Sequence, residues 1–290
     1  MKILALAQNP DLYSHQRLKG VAIARGHAFD IVPTLSCYMS VASGDPQVFF
    51  NGKQLVGYDA VIPRIGISIT FYGLTVLRQF EMRGVYPLNE SEGIGRSRDQ
   101  FRSLQLMSRD GLKVPVTMFA HDARVSRQVV EAAGGAPLLI KLLEDTQGVR
   151  VVHADTDRSA QSVIEAFRRA KVNILVQQVV RDTNAVGIRA LVLGNKVVAA
   201  TTRSIAEESG AEIASHREPA AIDITEAESS AAIQAAKTVG LNLCGVDLVR
   251  CEGGPLVLEV TSSPGLEDIE KTLGIDAASM IIEFLEEKIA

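Results

Sequence analysis

Along residues 1–92, short apolar runs alternate with amphipathic stretches. Apolar runs of about four to eight residues are typical of buried strands, whereas an apolar repeat near 3.6 residues predicts a helix. The alternation of the two predicts β-α-β units and therefore a parallel sheet. The expected elements are strands at residues 2–7, 28–32 and 59–63, helices at residues 14–25 and 70–83, and a hairpin over residues 48–56 that turns on Asn51-Gly52.

A second block begins near Ser91 and predicts a compact α+β unit. Its first helix is expected at residues 96–109, ended by Gly111, with a break at Val114-Pro115. The elements expected after this break are strands at residues 137–143, 149–153 and 174–180 and a helix at residues 158–171.

A third block begins near Gly187, and its strands are expected to carry Asp247 and Glu259. The chain then ends in an amphipathic helix whose apolar stripe predicts core packing. The other expected elements are a hairpin of residues 188–193 and 196–201 around Gly194-Asn195 and a helix at residues 226–239. We therefore expect three units, at residues 1–92, 93–184 and 185–290.

The composition, 47% hydrophobic and 22% charged residues, is that of an ordinary globular protein. The longest apolar runs have only strand length and the start resembles no signal peptide, which predicts a cytoplasmic protein without a membrane span. A net charge of -4 argues against nonspecific nucleic-acid binding. The three cysteines show no Cys-x-x-Cys spacing, so neither a disulfide framework nor a zinc site is expected.

The first chemical signal is the pair Asp247 and Glu259, placed on adjacent apolar strands. Two carboxylates held close together in a core repel one another and lose hydration unless a cation neutralises them. Mg²⁺ bound jointly by protein carboxylates and substrate phosphates is a common solution, so the pair predicts a metal site. The alternative is a pair of edge strands whose acids face water.

The second signal is Lys141 at the end of a buried strand, followed by the polar loop 144–148. An ammonium group there suits a phosphate oxygen, and loop N-H groups could close over a polyphosphate. The alternative is a lysine that extends its charge from the strand edge into water. Neither G-x-x-x-x-G-K-[ST] nor G-x-G-x-x-G occurs in the expected context, so the two common nucleotide-binding motifs are absent from the sequence.

This order of features resembles the ATP-grasp superfamily and, more closely, the RimK family of bacterial ligases, which add glutamate to the C-terminus of a small-subunit ribosomal protein. The resemblance extends over almost the whole chain. Its most specific segments are LSCYM at 35–39, VIPRIG at 61–66, FYG at 71–73, LRQFEM at 77–82, YPLNES at 86–91, GGAPL at 134–138 and SPGLE at 263–267.

The resemblance implies an ATP-grasp fold, mixed α/β and α+β, with an N-terminal Rossmann-like pre-ATP-grasp domain. It implies ATP with Mg²⁺ or Mn²⁺ as cofactors, L-glutamate and an acidic ribosomal-protein tail as substrates, and a homo-oligomer such as a tetramer, without direct binding of nucleic acid. The implied site residues are Arg189 and Arg203 for catalysis, Lys141, Gln177, Gln178 and Val179 for the nucleotide, and Asp247, Glu259 and Thr261 for the metal. Arg64 is expected to bind a substrate carboxylate for a separate reason: it leaves its strand towards the cleft, and an arginine fork pairs with a carboxylate through two hydrogen bonds.

The departures from the family pattern concentrate around the nucleotide. Gln100 stands where the family usually has a lysine, and Thr261 stands where it has an asparagine metal ligand. The other departures are Gln178-Val179-Val180, Gly187, Gly148-Val149-Arg150, Ala211-Glu212-Ile213-Ala214 and His216-Arg217-Glu218-Pro219. Two hypotheses therefore stand: an active glutamate ligase, or a degenerate ATP-grasp protein that binds or regulates a partner.

Overall fold

The computed structural model of the chain describes residues 1–42, 44–143, 151–180, 185–203 and 219–289. Its N-terminal part contains a sheet in the order β2-β1-β6-β7, in which every pairing is parallel. The elements are β1 (Lys2–Ala7), α1 (Tyr13–Ala24), β2 (Ala28–Val32), β3 (Cys37–Ala42), β4 (Asp45–Phe50), β5 (Lys53–Gln54), β6 (Ala60–Arg64), α2 (Thr70–Met82) and β7 (Tyr86–Pro87), with 3-10 turns at Thr34–Ser36 and Ile67–Ile69.

These elements confirm the predicted parallel sheet and the hairpin on Asn51-Gly52. Both turn residues have positive φ angles, 50° and 73°, as a tight hairpin turn requires. Strand β3 was not predicted from the sequence, although it pairs with β4 along its whole length. Most of its residues after Cys37 are exposed, so the strand carries little apolar signal.

The single helix predicted at residues 96–109 is wrong, because the chain forms two helices there. They are α3 (Ser91–Arg98) and α4 (Gln100–Arg109), separated at Asp99. Asp99 has extended backbone angles, and its carboxylate accepts a hydrogen bond from the backbone N-H of Arg102 at 3.0 Å. Asp99 thus caps the second helix, an arrangement that the short aspartate side chain favours over continuing the first.

The central part contains an antiparallel sheet in the order β10-β9-β11-β8. One face of the sheet packs on α5 and α6 in an apolar cluster that includes Val130, Ile140, Ile164 and Val176. The strands predicted at the centre of this unit are confirmed with slightly shorter bounds. The elements are β8 (Thr117–Met118), a 3-10 turn at Ala123–Val125, α5 (Ser126–Ala132), β9 (Leu138–Leu142), β10 (Val151–Ala154), α6 (Asp157–Arg169) and β11 (Ile174–Gln178).

The C-terminal part is an antiparallel sheet in the order β13-β12-β14-β15, covered by helices. Its first helix begins with a capping box formed by Thr225 and Glu228 and ends at Gly240, whose φ is 88°. The elements are β12 (Val186–Leu193), β13 (Lys196–Arg203), α7 (Glu226–Val239), β14 (Leu243–Arg250), β15 (Leu256–Thr261), α8 (Glu267–Leu273) and α9 (Ala277–Ile289).

The N-terminal and C-terminal parts share a continuous core. Leu6 and Ile94 belong to the same buried cluster as Val246 and Val260. Asn89 is buried at this junction: its amide nitrogen donates to the carbonyls of Leu243 and Ser262, and its amide oxygen accepts from the backbone N-H groups of Asn242 and Leu243. The turn after β15 is thereby fixed relative to the N-terminal sheet.

The C-terminal helix packs as its apolar stripe predicts. Ala278, Ile282 and Leu285 of α9 are buried in the core that this helix shares with α1. Within the ranges that the structure describes, no helix combines the length and the apolar character needed to cross a bilayer.

Candidate active site

The two faces of the C-terminal sheet differ in chemistry because side chains alternate along each strand. One face is apolar and includes Ile188, Val246 and Val260, which pack in one cluster with the alanines of α7. The strand register places the polar residues together on the other face. They are Arg189, Thr201, Arg203, Asp247, Glu259 and Thr261.

Asp247 lies at the centre of this polar face on an inner strand and is 1% exposed. Arg189 binds it with a fork of two hydrogen bonds, from Nε to Oδ1 at 2.8 Å and from Nη2 to Oδ2 at 2.9 Å. Arg203 forms an ion pair with the same carboxylate. Two-point binding of this kind is the strongest geometry that an arginine and a carboxylate form.

These contacts change the argument for a metal. Two acids held close together need a cation beside them, and Arg189 and Arg203 supply positive charge to Asp247. Charge neutralisation alone therefore does not require a metal. The donor set nonetheless suits Mg²⁺, because Glu259 pairs directly with Asp247 and Thr261 lies two residues further along the same face. Among the described residues no three His, Cys, Asp or Glu side chains cluster, so substrate phosphate and water would complete the shell.

Glu259 has a neighbour that the sequence argument missed, Arg98 at the end of α3. Burial lowers the pKa of Arg98, and the charge of Glu259 partly offsets this effect. Arg98 donates from Nη2 to the carbonyl of Ile65 at 2.6 Å. The missed signal was Asp99, a good N-cap residue, which breaks the predicted helix next to Arg98.

Arg64 leaves the carboxyl end of β6, the edge where open α/β sheets place their ligands. Its Nη2 donates to the carbonyl of Pro264 at 2.8 Å and so holds the turn that follows β15. Burial, together with the nearby charge of Arg98, lowers the pKa of Arg64 to about 10. The residue expected to bind a substrate carboxylate thus also positions the Ser-Pro-Gly turn.

The central sheet brings only part of the predicted nucleotide set to one face. Lys141 is 7% exposed, and the register places it on the same face as Leu139 and Gln177. Gln177 donates to the hydroxyl of Thr117 at 2.9 Å. Gln178 lies on the opposite face, where its amide nitrogen is 2.8 Å from the position that a Cβ on Gly134 would take.

The end of the central sheet reaches the C-terminal sheet. Val179 is buried, and Val180 packs against Val249 and Leu258. The loops expected to close on the nucleotide, 144–150 and 211–218, lie outside the described residues, and with them Glu144, Arg150, Glu212, His216 and Arg217.

A cavity of about 230 Å³ adjoins the Asp247 ion pairs. Its lining includes Arg189, Arg203 and Thr202 from the sheet, and Gly265 and Asp268 from the turn and the start of α8. The two predicted catalytic arginines therefore face open space large enough for a small polar substrate group.

Comparison with known families decides the class of protein. The RimK PreATP-grasp domain matches residues 1–94, and the RimK-like ATP-grasp domain matches residues 97–285. The chain belongs to the RimK family of ATP-grasp ligases. The predicted fold, family and enzyme class are thereby confirmed.

Relatives of this RimK-family ligase cover nearly the whole chain. The probable alpha-L-glutamate ligase 1 of Hahella chejuensis is 52% identical over 290 residues, which cover 99% of this chain and 95% of the relative. The probable alpha-L-glutamate ligase of Halorhodospira halophila is 50% identical over 288 residues, with the same coverage.

Solved structures support the fold. The ATP-grasp ligase PsnB, complexed with a minimal precursor, superposes with a TM-score of 0.77 at 20% identity and covers 99% of this chain and 98% of its own. PsnB has also been solved with its minimal precursor, Mg and ADP. A RimK domain protein of Sphaerobacter thermophilus has a TM-score of 0.73 at 17% identity, covering 98% of this chain and 99% of its own.

Proposed function

We propose that this RimK-family ligase uses ATP to join L-glutamate to a carboxylate of an acceptor. The acceptor carboxylate oxygen attacks the γ-phosphorus of ATP and releases ADP, which leaves an acyl phosphate. The amine of glutamate then attacks the acyl carbon, loses a proton and displaces phosphate, which forms the amide bond. The observation that carries this proposal is the polar face on which Asp247, Glu259, Arg189 and Arg203 lie together.

The arginines suit the charge changes of this reaction. Arg189 and Arg203 line the cavity beside Asp247, so a guanidinium that leaves Asp247 can contact a phosphate or acyl-phosphate oxygen instead. Phosphoryl transfer depends mainly on positioning and on neutralising charge, and fixed cations provide both. We assign Arg189 and Arg203 to this role.

ATP and Mg²⁺ are the proposed cofactors, with Mn²⁺ as a substitute ion. We assign Asp247, Glu259 and Thr261 to the ion, and Lys141 with Gln177, the backbone of Gln178 and Val179 to the nucleotide. When bound, the ion would neutralise phosphate charge and align the γ-phosphate for attack. Each carboxylate oxygen has two lone pairs, so Asp247 could hold the ion through Oδ1 while Arg189 remains hydrogen-bonded to it.

The proposed acceptor is the acidic C-terminal tail of a ribosomal protein. The family resemblance supports it, and the names of the relatives support glutamate as the added group. PsnB binds a precursor peptide on the same fold, which supports a peptide acceptor.

We further propose three units at residues 1–92, 93–184 and 185–290, a homo-oligomer and a cytoplasmic location.

A second candidate function is a degenerate ATP-grasp protein that acts as a binding or regulatory partner. One observation favours it: Asp247 is neutralised by arginines, so its polar face needs no metal to be stable. The neutral residues Gln100 and Thr261, at positions where the family has a lysine and an asparagine, add to this argument.

Calorimetry separates the two functions. The full chain is titrated with a nonhydrolysable ATP analogue and Mg²⁺, and then assayed for ADP release with an acidic peptide and glutamate. A ligase binds the analogue and releases ADP only when both substrates are present. Glu259→Gln removes one charge from the proposed ion site and should abolish release. No heat at millimolar nucleotide contradicts the ligase proposal and favours the degenerate protein.

A further inference from the structure

Two arginines from different elements lie within reach of one another's charge near the proposed ion site, and neither has an ion-pair partner among the described residues. Arg64 and Arg98 each donate one Nη2 to a backbone carbonyl, those of Pro264 and Ile65. The Nε atom of each is buried and finds no hydrogen-bond partner within the ranges that the structure describes. Among the salt bridges of the described residues, none involves Arg64 or Arg98.

The described surroundings compensate this positive charge only in part, through Glu259. The charge of Arg98 lowers the pKa of Arg64 further after burial has lowered it, and Arg64 in turn contributes to the lowered pKa of the buried His15. The nearest acid that acts on Arg98 is Glu259, which we assign to the ion. A cation in a half-buried position is costly unless an anion pairs with it, so the cluster favours an anionic ligand.

The turn beside the arginines adds neutral donors. The hydroxyls of Ser262 and Ser263 are both buried and without a hydrogen-bond partner in the described part of the chain. They precede Pro264, whose carbonyl Arg64 holds. Arg64 therefore holds a turn that carries two hydroxyl groups, and its guanidinium, that of Arg98 and both hydroxyls retain hydrogen-bonding capacity that no described residue uses.

We infer that Arg64 and Arg98 form a binding site for a substrate carboxylate. This inference rests on the proposed function. A guanidinium fork matches a carboxylate through two parallel hydrogen bonds. The nucleotide phosphates are assigned to Lys141 on another sheet, which leaves the carboxylates of glutamate and of the acceptor as the ligands of matching chemistry. Arg98 lies close enough to Glu259 for their charges to interact, so a carboxylate bound at this arginine would hold the substrate near the proposed ion site.

Kinetics of Arg98→Gln test the inference. We expect the KM for glutamate or for the acceptor peptide to rise about 10- to 100-fold, as the loss of a charged hydrogen bond predicts, with the KM for ATP within about twofold of the wild type. Which of the two KM values rises identifies the source of the carboxylate. Arg98→Lys should recover part of the loss because it keeps the charge but not the fork.

Arg102→Gln is the matched control, since Arg102 follows on the next helix and pairs with the exposed Glu92. It should leave all three KM values unchanged. If Arg98→Gln leaves the KM values for glutamate and acceptor unchanged, or raises only that for ATP, the site does not bind a substrate carboxylate. Thermal unfolding of each variant checks that loss of the contact to Ile65 has not unfolded the chain.

A binding measurement without ATP keeps this inference separate from the proposed function. Glutarate, a five-carbon dicarboxylate, is titrated calorimetrically into the wild type, Arg98→Gln and Arg102→Gln. We expect at least tenfold weaker binding in Arg98→Gln only. Glutarate binding through Arg98 without ADP release supports the site and contradicts the ligase function. Normal ADP release with unchanged glutarate binding and KM values in Arg98→Gln supports the function and overturns the site.

Discussion

The C-terminal and central sheets differ in how the charged groups on their polar faces are paired. On the C-terminal sheet, Asp247 is already held by a hydrogen-bond fork from Arg189, at 2.8 and 2.9 Å, and by an ion pair with Arg203. On the central sheet, Lys141 shares its face with the neutral Gln177, whose side-chain amide bonds to Thr117. The charged groups are thus preassembled on one sheet, while the other offers a lysine and neutral donors.

This difference indicates where the molecule is sensitive to change. The departures at Gln100 and Gln178 are neutral residues at positions that the family resemblance associates with the nucleotide, whereas Asp247, Glu259, Arg189 and Arg203, which we propose for phosphoryl transfer, are all present. We therefore expect nucleotide affinity to be weak while the groups for phosphoryl transfer remain in place. The following predictions test this contrast in order of decreasing effect.

Asp247→Asn should have the largest effect because it removes a proposed ion ligand and also leaves two arginines without their charge partner. Activity should fall on the order of 10²- to 10³-fold, and the free energy of unfolding by about 3 kcal/mol. Glu259→Gln should lose comparable activity with little loss of stability. ADP release and urea unfolding measure the two effects. Equal stability of both variants contradicts the preassembled charge cluster.

Asn89→Ala tests how the C-terminal sheet is fixed to the N-terminal part. It leaves buried backbone groups of Leu243 and Ser262 without their partner, so we expect a loss of about 2–4 kcal/mol in unfolding free energy. Asn195→Ala, at the exposed turn of the β12–β13 hairpin, is the control and should stay within about 0.5 kcal/mol of the wild type. Similar urea midpoints for both variants argue against the Asn89 anchor.

Gln100→Lys tests whether the proposed nucleotide site binds weakly because it lacks a positive charge. Restoring a positive charge near the nucleotide should tighten binding of an ATP analogue about tenfold, since hydrogen bonds to charged groups exceed neutral ones by about 1–2 kcal/mol. Thr261→Asn, on the C-terminal sheet, should raise the affinity for the ATP analogue by a smaller factor. Gln105→Lys adds the same charge to an exposed position of α4 and serves as the control. Calorimetry that finds equal affinities contradicts the electrostatic explanation.

A substitution at Glu286, where α9 packs near the end of α1, should have the smallest effect on stability. Hydrogen bonds from Arg25 and then from His27 lower the pKa of its carboxyl from 4.5 to about 2. A carboxyl with a lowered folded-state pKa stabilises the fold above its unfolded pKa, and this contribution is lost as the pH falls from 4.5 towards 2. Glu286→Gln should therefore flatten the stability profile between about pH 4.5 and pH 2.

Glu287→Gln, at an exposed neighbouring position, is the control for this titration. Urea unfolding at several pH values compares the three proteins. A profile for Glu286→Gln as steep as that of the wild type shows that the ion pairs with Arg25 and His27 contribute nothing to acid stability.

Much of the fold could be predicted because its signals are local. The buried runs at residues 2–7 and 174–180 and the helix at residues 226–239 carry strong periodicity, and each forms the expected element. The exposed strand β3 and the helix break at Asp99 were missed. Strand β3 forms because it pairs with β4, although its apolar pattern is weak. The helix breaks at Asp99 because a single capping side chain outweighs the helical periodicity.

The candidate site was predictable only in part. Asp247, Glu259 and Lys141 were identified because acids and a lysine within apolar strands are unusual. Arg98 was not identified, because the capping residue Asp99 beside it signals only a helix break and not which charges Arg98 approaches. Its importance comes from the proximity of Glu259 and Arg64, which lie far away along the chain.

The sequence by itself determined the types of elements and the face on which each strand residue lies, since both follow from periods of 3.6 and 2 residues. Only the tertiary structure decided which charges meet. Strand register brings Arg189 to Asp247, and domain packing brings Arg98 towards Glu259 and Arg64. Electrostatic interactions depend on distance in space and on burial, and neither can be read from separation along the chain.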